Sequence, residues 1–419
     1  MSIETRDQSE ASSRRRINSY IATGGVIASH TLQHFYGEGF YVILPVIYTS
    51  LGLTPVAAGF IGTIRQISSG VASMIGGFLI DQFQHRRKLV LYLSLVVMGL
   101  GYLLVGVSPT YFLILLSISL AGAAGSLWHP AAMSLLSQRY PLRRGFMLAL
   151  HRSSGNAGDA LGPLIVGALL LVLTWQNVLF GAFPLAVIIS LLLWGVLHRD
   201  SGWDQPARMT AMPHMFKAQL VSLKDVLRSR ELILLLLVSG IAGLGQGSLM
   251  LWLPLYLQET QGMGSLGIGL HLGLLSSVGI ASGPVIGSLS DRFGRKRVIF
   301  IVMLAKVIIA TLMALTGSGI LLTILVGLMG AFLFALNPLV QAGALDIAEG
   351  KKLEGTMIGL LWGNNAIFSG MAPVLVGFLI TSMGYGILFW YIAAMSSVAG
   401  VFAIILLFVT PRTQKLPRV

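Results

Sequence analysis

The sequence contains no cysteine, so it holds no disulfide framework, thiolate metal site or cysteine nucleophile. Charge is scarce as well: only 10% of the 419 residues are Asp, Glu, Lys or Arg, against about a quarter in soluble domains. With 55% hydrophobic residues and 50 glycines, a soluble chain would lack the polar surface to stay dispersed. An ordinary cytosolic enzyme and a disordered protein are therefore excluded. The patterns G-x-x-x-x-G-K-[ST], H-E-x-x-H and G-x-S-x-G are all missing. Neither ATP-driven work nor hydrolase chemistry is expected, and no cofactor or resident metal. The first 17 residues, through Arg14-Arg15-Arg16-Ile17, carry no short apolar core ending in a cleavage site, so no removable signal peptide is expected.

What the chain does have is long apolar stretches. A helix crosses ~30 Å of hydrocarbon in about 20 residues, and twelve stretches of that kind occur, the first at 19–47 and the tenth at 320–345. They group as six and six around a longer connector, which gives an all-α membrane protein of two six-helix bundles, 19–197 and 231–409. A tail (1–18), the connector (198–230) and a second tail (410–419) complete it. Of the 28 lysines and arginines, 25 fall in the tails, the connector and alternate loops, and the opposite loops hold none. By the positive-inside rule both termini and the connector are cytoplasmic, in the plasma (inner) membrane. The net charge of +13 thus faces the cytoplasmic leaflet and calls for no nucleic-acid partner. Within the connector, Phe216, Leu220, Leu223 and Leu227 fall on one helical face, as in an amphipathic helix lying on the membrane.

The halves repeat. Gly77, Asp81, Pro163 and Gly167 are matched 210 residues later by Gly287, Asp291, Pro373 and Gly377, and His129-Pro130 is matched 208 residues later by Asn337-Pro338. Repeated halves with a site between them at mid-membrane are a transporter architecture. The segment Gly287-Ser-Leu-Ser-Asp291-Arg292-Phe-Gly294-Arg295-Lys296 resembles the loop signature of the major facilitator superfamily. Gly77-Phe-Leu-Ile-Asp81-Gln82-Phe-Gln84-His85-Arg86 is a degraded copy. A carboxylate at a helix end beside cations can latch and unlatch, so Asp81, Arg86, Asp291, Arg292 and Arg295 are the expected gating residues. Gly158-Asp-Ala-Leu-Gly162-Pro163-Leu-Ile-Val-Gly167 resembles that superfamily's antiporter motif, in which small residues allow close helix contact. Together with Ser29-His30-Thr-Leu-Gln33-His34, Ser126-Leu-Trp-His129-Pro130 and Gly155-Asn156, it is similar to the fosmidomycin-resistance branch of drug:proton exporters. That branch carries an acid where His34 stands; here the acid is Glu38, one turn on.

Each charge at the centre of a spanning helix costs about 2.5–3.5 kcal/mol. Glu38, Arg65, Arg152 and Asp159 all lie within spans, so they are expected to face a wet cavity or one another. His30, His34 and Glu38 recur at i, i+4 and i+8 on one face. Three readings stand open for them: proton coupling by Glu38 with His34 and Asp159, a permanent Glu38–Arg65 ion pair, or a transition-metal site. Arg152, Asn156 and Asp159 share a stripe, where Arg152 either binds an anionic substrate or pairs with Asp159. His30, Gln33, Arg65, His129, Asn364 and Asn365 are further expected cavity residues. His151 is placed near the helix entrance, and Lys306 is read as snorkelling.

The resemblance implies a monomeric secondary transporter, not an enzyme, its two halves rocking to give alternating access. Its partners are the lipid bilayer, protons as coupling ion and a small molecule, and the expected activity is proton-coupled export of an organic compound or drug. Proton-symport import of an anionic nutrient, transition-metal or metal-chelate transport, and a transport-dead receptor are the alternatives.

Overall fold

In a computed structural model of the chain, residues 3–82, 84–108, 110–199, 228–348 and 354–409 are described. Their regular structure is all helical. The first half contributes α1 (Ile3–Ser50), α2 (Pro55–Gln82), α3 (Arg87–Val107), α4 (Tyr111–Arg139), α5 (Arg144–Leu169) and α6 (Trp175–His198). The second contributes α7 (Arg230–Glu259), α8 (Ser265–Phe293), α9 (Arg295–Thr316), α10 (Gly319–Leu333), α11 (Leu336–Ala348), α12 (Glu354–Met383) and α13 (Ile387–Phe408).

Helix starts and stops follow local chemistry. Pro55 opens α2, where its missing N–H costs nothing, and the Thr54 hydroxyl accepts from the Ala57 amide at 3.2 Å. Thr110 and Thr174 cap α4 and α6 in the same way, at 3.4 and 3.3 Å. Gly317, at φ 67°, ends α9 in the left-handed region that a residue without a Cβ enters freely.

Among the described residues, nine helical segments are long and apolar enough to cross a membrane. α1, α2 and α5 are not among these nine. They are the helices whose interiors carry Glu38, Arg65, and the pair Arg152 and Asp159. The stretch expected as one span at 320–345 is one apolar segment, Gly319–Ile347, broken at Phe334–Ala335 into α10 and α11. Pro338 accounts for the break. Lacking an amide hydrogen, it cannot bond the Phe334 carbonyl four residues back, and its ring crowds that carbonyl. α1 begins at Ile3, so the backbone of the expected tail continues the first helix. The connector face formed by Phe216, Leu220, Leu223 and Leu227 lies outside the described residues.

Contacts divide the chain into two compact units, Met1–Thr210 with Pro254–Ser277, and Ala211–Leu253 with Val278–Val419. In the first, α1 packs on α5 and α6, α2 on α4, and α3 on α4 and α6. In the second, Leu232, Leu235 and Val238 of α7 join Ile299 and Val302 of α9, Leu339 and Val340 of α11, and Ala399 and Ala403 of α13 in a buried core. Lys306 belongs to this interior. It is 1% exposed, which corrects the snorkelling expectation: α9 packs against α10, α11 and α13, and the lysine sits within that packing.

Candidate functional site

On α5, His151, Gly155, Gly158 and Gly162 recur at i, i+4, i+7 and i+11, a single face, and that face meets α1. A Cβ at Gly155 would lie 2.5 Å from His30 Cε1 and 2.9 Å from His34 Nε2. At Gly158 it would strike the Thr31 carbonyl and approach His34 Cβ to 2.8 Å; at Gly162 it would lie 2.6 Å from the Phe35 carbonyl oxygen. The glycines of the antiporter-like segment thus set how closely two polar helices approach. Gly167 instead faces the start of α8, where a Cβ would lie 2.7 Å from the Ser265 carbonyl oxygen, and one on Gly269 would strike the Pro163 carbonyl.

This close approach brings four histidines together. His30 donates from Nδ1 to the His151 carbonyl at 2.7 Å, and its ring stacks on that of His151 with centroids 3.7 Å apart. His34 and His129 stand edge-on to it, at 4.6 and 5.1 Å. His34 donates from Nδ1 to Asp159 Oδ1 at 2.6 Å. Asp159 is therefore bridged across the helix pair to His34, and among the described residues no Arg152–Asp159 ion pair is formed. Arg152 is exposed and Asn156 half-buried.

One turn along α1, Glu38 Oε2 is buried without a hydrogen-bond partner. Glu38 is within electrostatic reach of Asp159 and Arg65, yet no Glu38–Arg65 ion pair forms among the described residues. The Arg65 guanidinium donates from Nη2 to the Gly37 carbonyl at 3.0 Å and lies 4.9 Å over the Tyr41 ring. It flanks a small polar cavity of about 60 Å³, lined also by Gln33, Ser69, Tyr102 and Ser126. The Ser69 and Ser126 hydroxyls bond each other across α2 and α4, and Gln33 Oε1 is buried and unpartnered. A water needs about 10–15 Å³ of such volume, so this cavity has room for a few waters. A mostly apolar cavity of about 280 Å³, lined by Phe35, Tyr36, Phe40, Ile43, Val166 and Leu185 among others, approaches the size that small ligands occupy.

In the second unit, Asn364 and Asn365 donate to the α7 carbonyls of Leu236 and Ser239, at 2.9 and 3.3 Å. Their amide donors tie α12 to α7. The repeat offsets show how the two halves differ here. At the 209-residue offset that relates Pro45 to Pro254, Ser239, Gly243 and Gly247 follow His30, His34 and Glu38, and Leu361, Trp362 and Ser369 stand 210 after His151, Arg152 and Asp159. Every ionisable member of the first cluster is neutral in its counterpart.

Of the loop residues, Arg295 bridges Asp291 at 3.4 Å and Asp346 at 2.6 Å, while Lys296 pairs with Glu231 at 2.7 Å. Arg292 lies 5.4 Å over the Phe293 ring. In the first unit Arg86 donates to His85 Nε2 at 3.3 Å, and the Asp81 side chain lies outside the described residues. Sequence reasoning missed two members of these groups. Asp346 lies 51 residues from Arg295, and no local pattern marks it. His151, expected near a helix entrance, is 3% exposed and inside the cluster; its place on the Gly155–Gly158–Gly162 face was the readable signal.

The chain matches the family described as Major Facilitator Superfamily over residues 26–361 and again over 267–419. It is 25% identical over 393 residues to a probable sulfoacetate transporter from Cupriavidus necator, covering 88% of this chain and 89% of that one. Against the fosmidomycin resistance protein of Escherichia coli the identity is 23%, covering 88% of each chain. Against the multidrug resistance protein MdtG of Salmonella arizonae it is 29%, covering 71% and 74%. Two solved structures share the fold at 13% identity. A bacterial homologue of the human lysosomal transporter Spinster has a TM-score of 0.75, covering 93% of this chain and 95% of its own. The nucleoside transporter NupG has 0.76, covering 92% and 99%. With a helical membrane architecture, a repeated loop signature and a family match along nearly its whole length, the chain belongs to the Major Facilitator Superfamily of transporters.

Proposed function

We propose that the chain is a proton-coupled exporter of a small organic compound, with Glu38 exchanging the proton. The observation that carries this reading is the buried, unpartnered Glu38 Oε2 on the helix face that also holds the His34–Asp159 bridge. An uncompensated buried charge costs several kcal/mol, so the charge state of Glu38 is tied to what occupies the space beside it. Protonation from outside, release of cargo and deprotonation toward the cytoplasm then form a cycle in which proton and cargo favour different states. His34 and Asp159 assist this exchange. Arg65, Arg152, Gln33, His30, His129, Asn156, Asn364 and Asn365 are the proposed cargo contacts, and the Asp291–Arg295–Asp346 bridge, with Asp81, Arg86 and Arg292, forms the proposed gates. Export is supported by the relatives named as resistance proteins and by the glycine-lined α1–α5 contact. The proposal includes twelve spans in two halves (19–197 and 231–409), termini on the cytoplasmic side of the plasma membrane, and a monomer.

The test is transport in proteoliposomes under an imposed pH gradient, screening organic acids and lipophilic drugs. Cargo and protons are expected to move in opposite directions. Glu38→Gln should still bind cargo but lose gradient-driven accumulation; accumulation with unchanged proton coupling overturns its role. A second reading, proton-symport import of a small organic acid held by Arg65 and Arg152, is favoured by the relative named as a sulfoacetate transporter. Cargo and proton moving the same way would establish it.

A further inference from the structure

The histidines of the α1–α5 contact have more nitrogen than their hydrogen bonds use. A carbonyl oxygen and a carboxylate oxygen can only accept, so Nδ1 of His30, facing the His151 carbonyl, and Nδ1 of His34, facing Asp159 Oδ1, both carry the proton. In each neutral ring that leaves Nε2 with its lone pair. His30 Nε2 and His34 Nε2 are buried and unpartnered, and so are both ring nitrogens of His151. His30 is 1% exposed and His151 3%. Leaving such atoms unsatisfied is costly, and nothing in the export reading uses three of them together.

We propose that His30, His129 and His151 bind one borderline divalent transition cation of the Zn²⁺, Co²⁺ or Ni²⁺ class, with His34 beside them as a fourth nitrogen. One ligand atom from each of the three lies within 4.8 Å of those of the other two. Bonds of about 2.0–2.1 Å in a tetrahedral site place ligands ~3.4 Å apart, so small ring rotations close the set, chiefly a tip of His151 off its stack on His30. The hydrogen bonds are those that metal-bound histidines make: the other ring N–H is given to a backbone carbonyl at His30 and to a carboxylate at His34, which fixes the tautomer and ring direction. All-nitrogen ligation without thiolate favours these cations over Ca²⁺ and Mg²⁺, which take oxygen. Asp159 places a carboxylate against His34 Nδ1 beside the site. The cation that opposes binding, Arg152, is exposed, where water and salt screen it. The site does not depend on the direction of transport; it shares His30 and His129 with the proposed cargo contacts and His34 and Asp159 with the proposed proton exchange.

The experiment uses the full chain in detergent, its purification tag removed, titrated with Co²⁺ alone and then with Zn²⁺ in competition. Expected are visible d–d absorption bands saturating at one Co²⁺ per chain, displaced by Zn²⁺ and untouched by Mg²⁺. His129→Gln and His151→Gln should each abolish the bands, and Asp159→Asn should weaken binding by about 10–100-fold. His85→Gln and His198→Gln, outside the cluster, should leave the titration unchanged. Wild-type protein without saturable bands overturns the site, as do bands that persist in both cluster variants. Should one variant fail to fold, the wild-type titration and the other variant still decide.

Discussion

Lys306 is buried whole and Glu38 through one carboxylate oxygen, and the two call for different experiments. Lys306 is 1% exposed among the apolar side chains of α9. Exchanging it for an apolar chain of similar shape removes the cost of burying an ammonium, so Lys306→Met is expected to raise thermal stability by about 1 kcal/mol or more. Unfolding in detergent checks this; lost transport at unchanged stability would instead mark the lysine as functional. Glu38→Gln belongs to transport, because its unpartnered oxygen points to a role in the cycle. The costly charges were legible in the sequence, since any charge in a 20-residue apolar window stands out. Their partners were not. Asp159 pairs with His34, 125 residues away, and Arg65 is held by the Gly37 carbonyl and the Tyr41 ring, neither of which a charge-pairing argument selects.

Between elements, the glycine face of α5 sets the separation from α1. A Cβ at Gly158 would meet the Thr31 carbonyl and the Phe35 amide nitrogen, which are backbone atoms and cannot rotate aside. Gly158→Ala is therefore expected to cost about 1–3 kcal/mol, while Gly195→Ala on α6, where a Cβ meets nothing within 4 Å, should be neutral or slightly stabilising. Paired melting curves check the contrast. The Arg295 bridge behaves differently. Asp291 and Asp346 keep 68% and 59% of their side-chain exposure, and exposed ion pairs contribute at most about 1 kcal/mol. Asp346→Asn should thus leave the melting point nearly unchanged and alter the transport rate in proteoliposomes. The glycine spacing announced a close contact in the sequence. His151 was readable on that face from its spacing; that α1 was the partner, bringing His30 and His34 against it, emerged only when the helices were placed.

For the whole molecule, the absence of cysteine makes topology directly testable. Leu142, between α4 and α5, is 99% exposed, and Thr260, between α7 and α8, is exposed. A membrane-impermeant maleimide should label Leu142→Cys only from the cytoplasmic side and Thr260→Cys only from the opposite side; the reverse pattern would overturn the proposed orientation. Membrane class, helical architecture, repeat and family were determined by the sequence itself. Partition between hydrocarbon and water depends on composition over about 20 residues, and the signature is a local string. The tertiary structure decided the burial of Lys306 and the gathering of His30, His34, His129 and His151 within one unit. Those outcomes depend on which helix faces meet and how closely glycine lets them approach, a property of pairs of elements far apart in the chain that no local window contains.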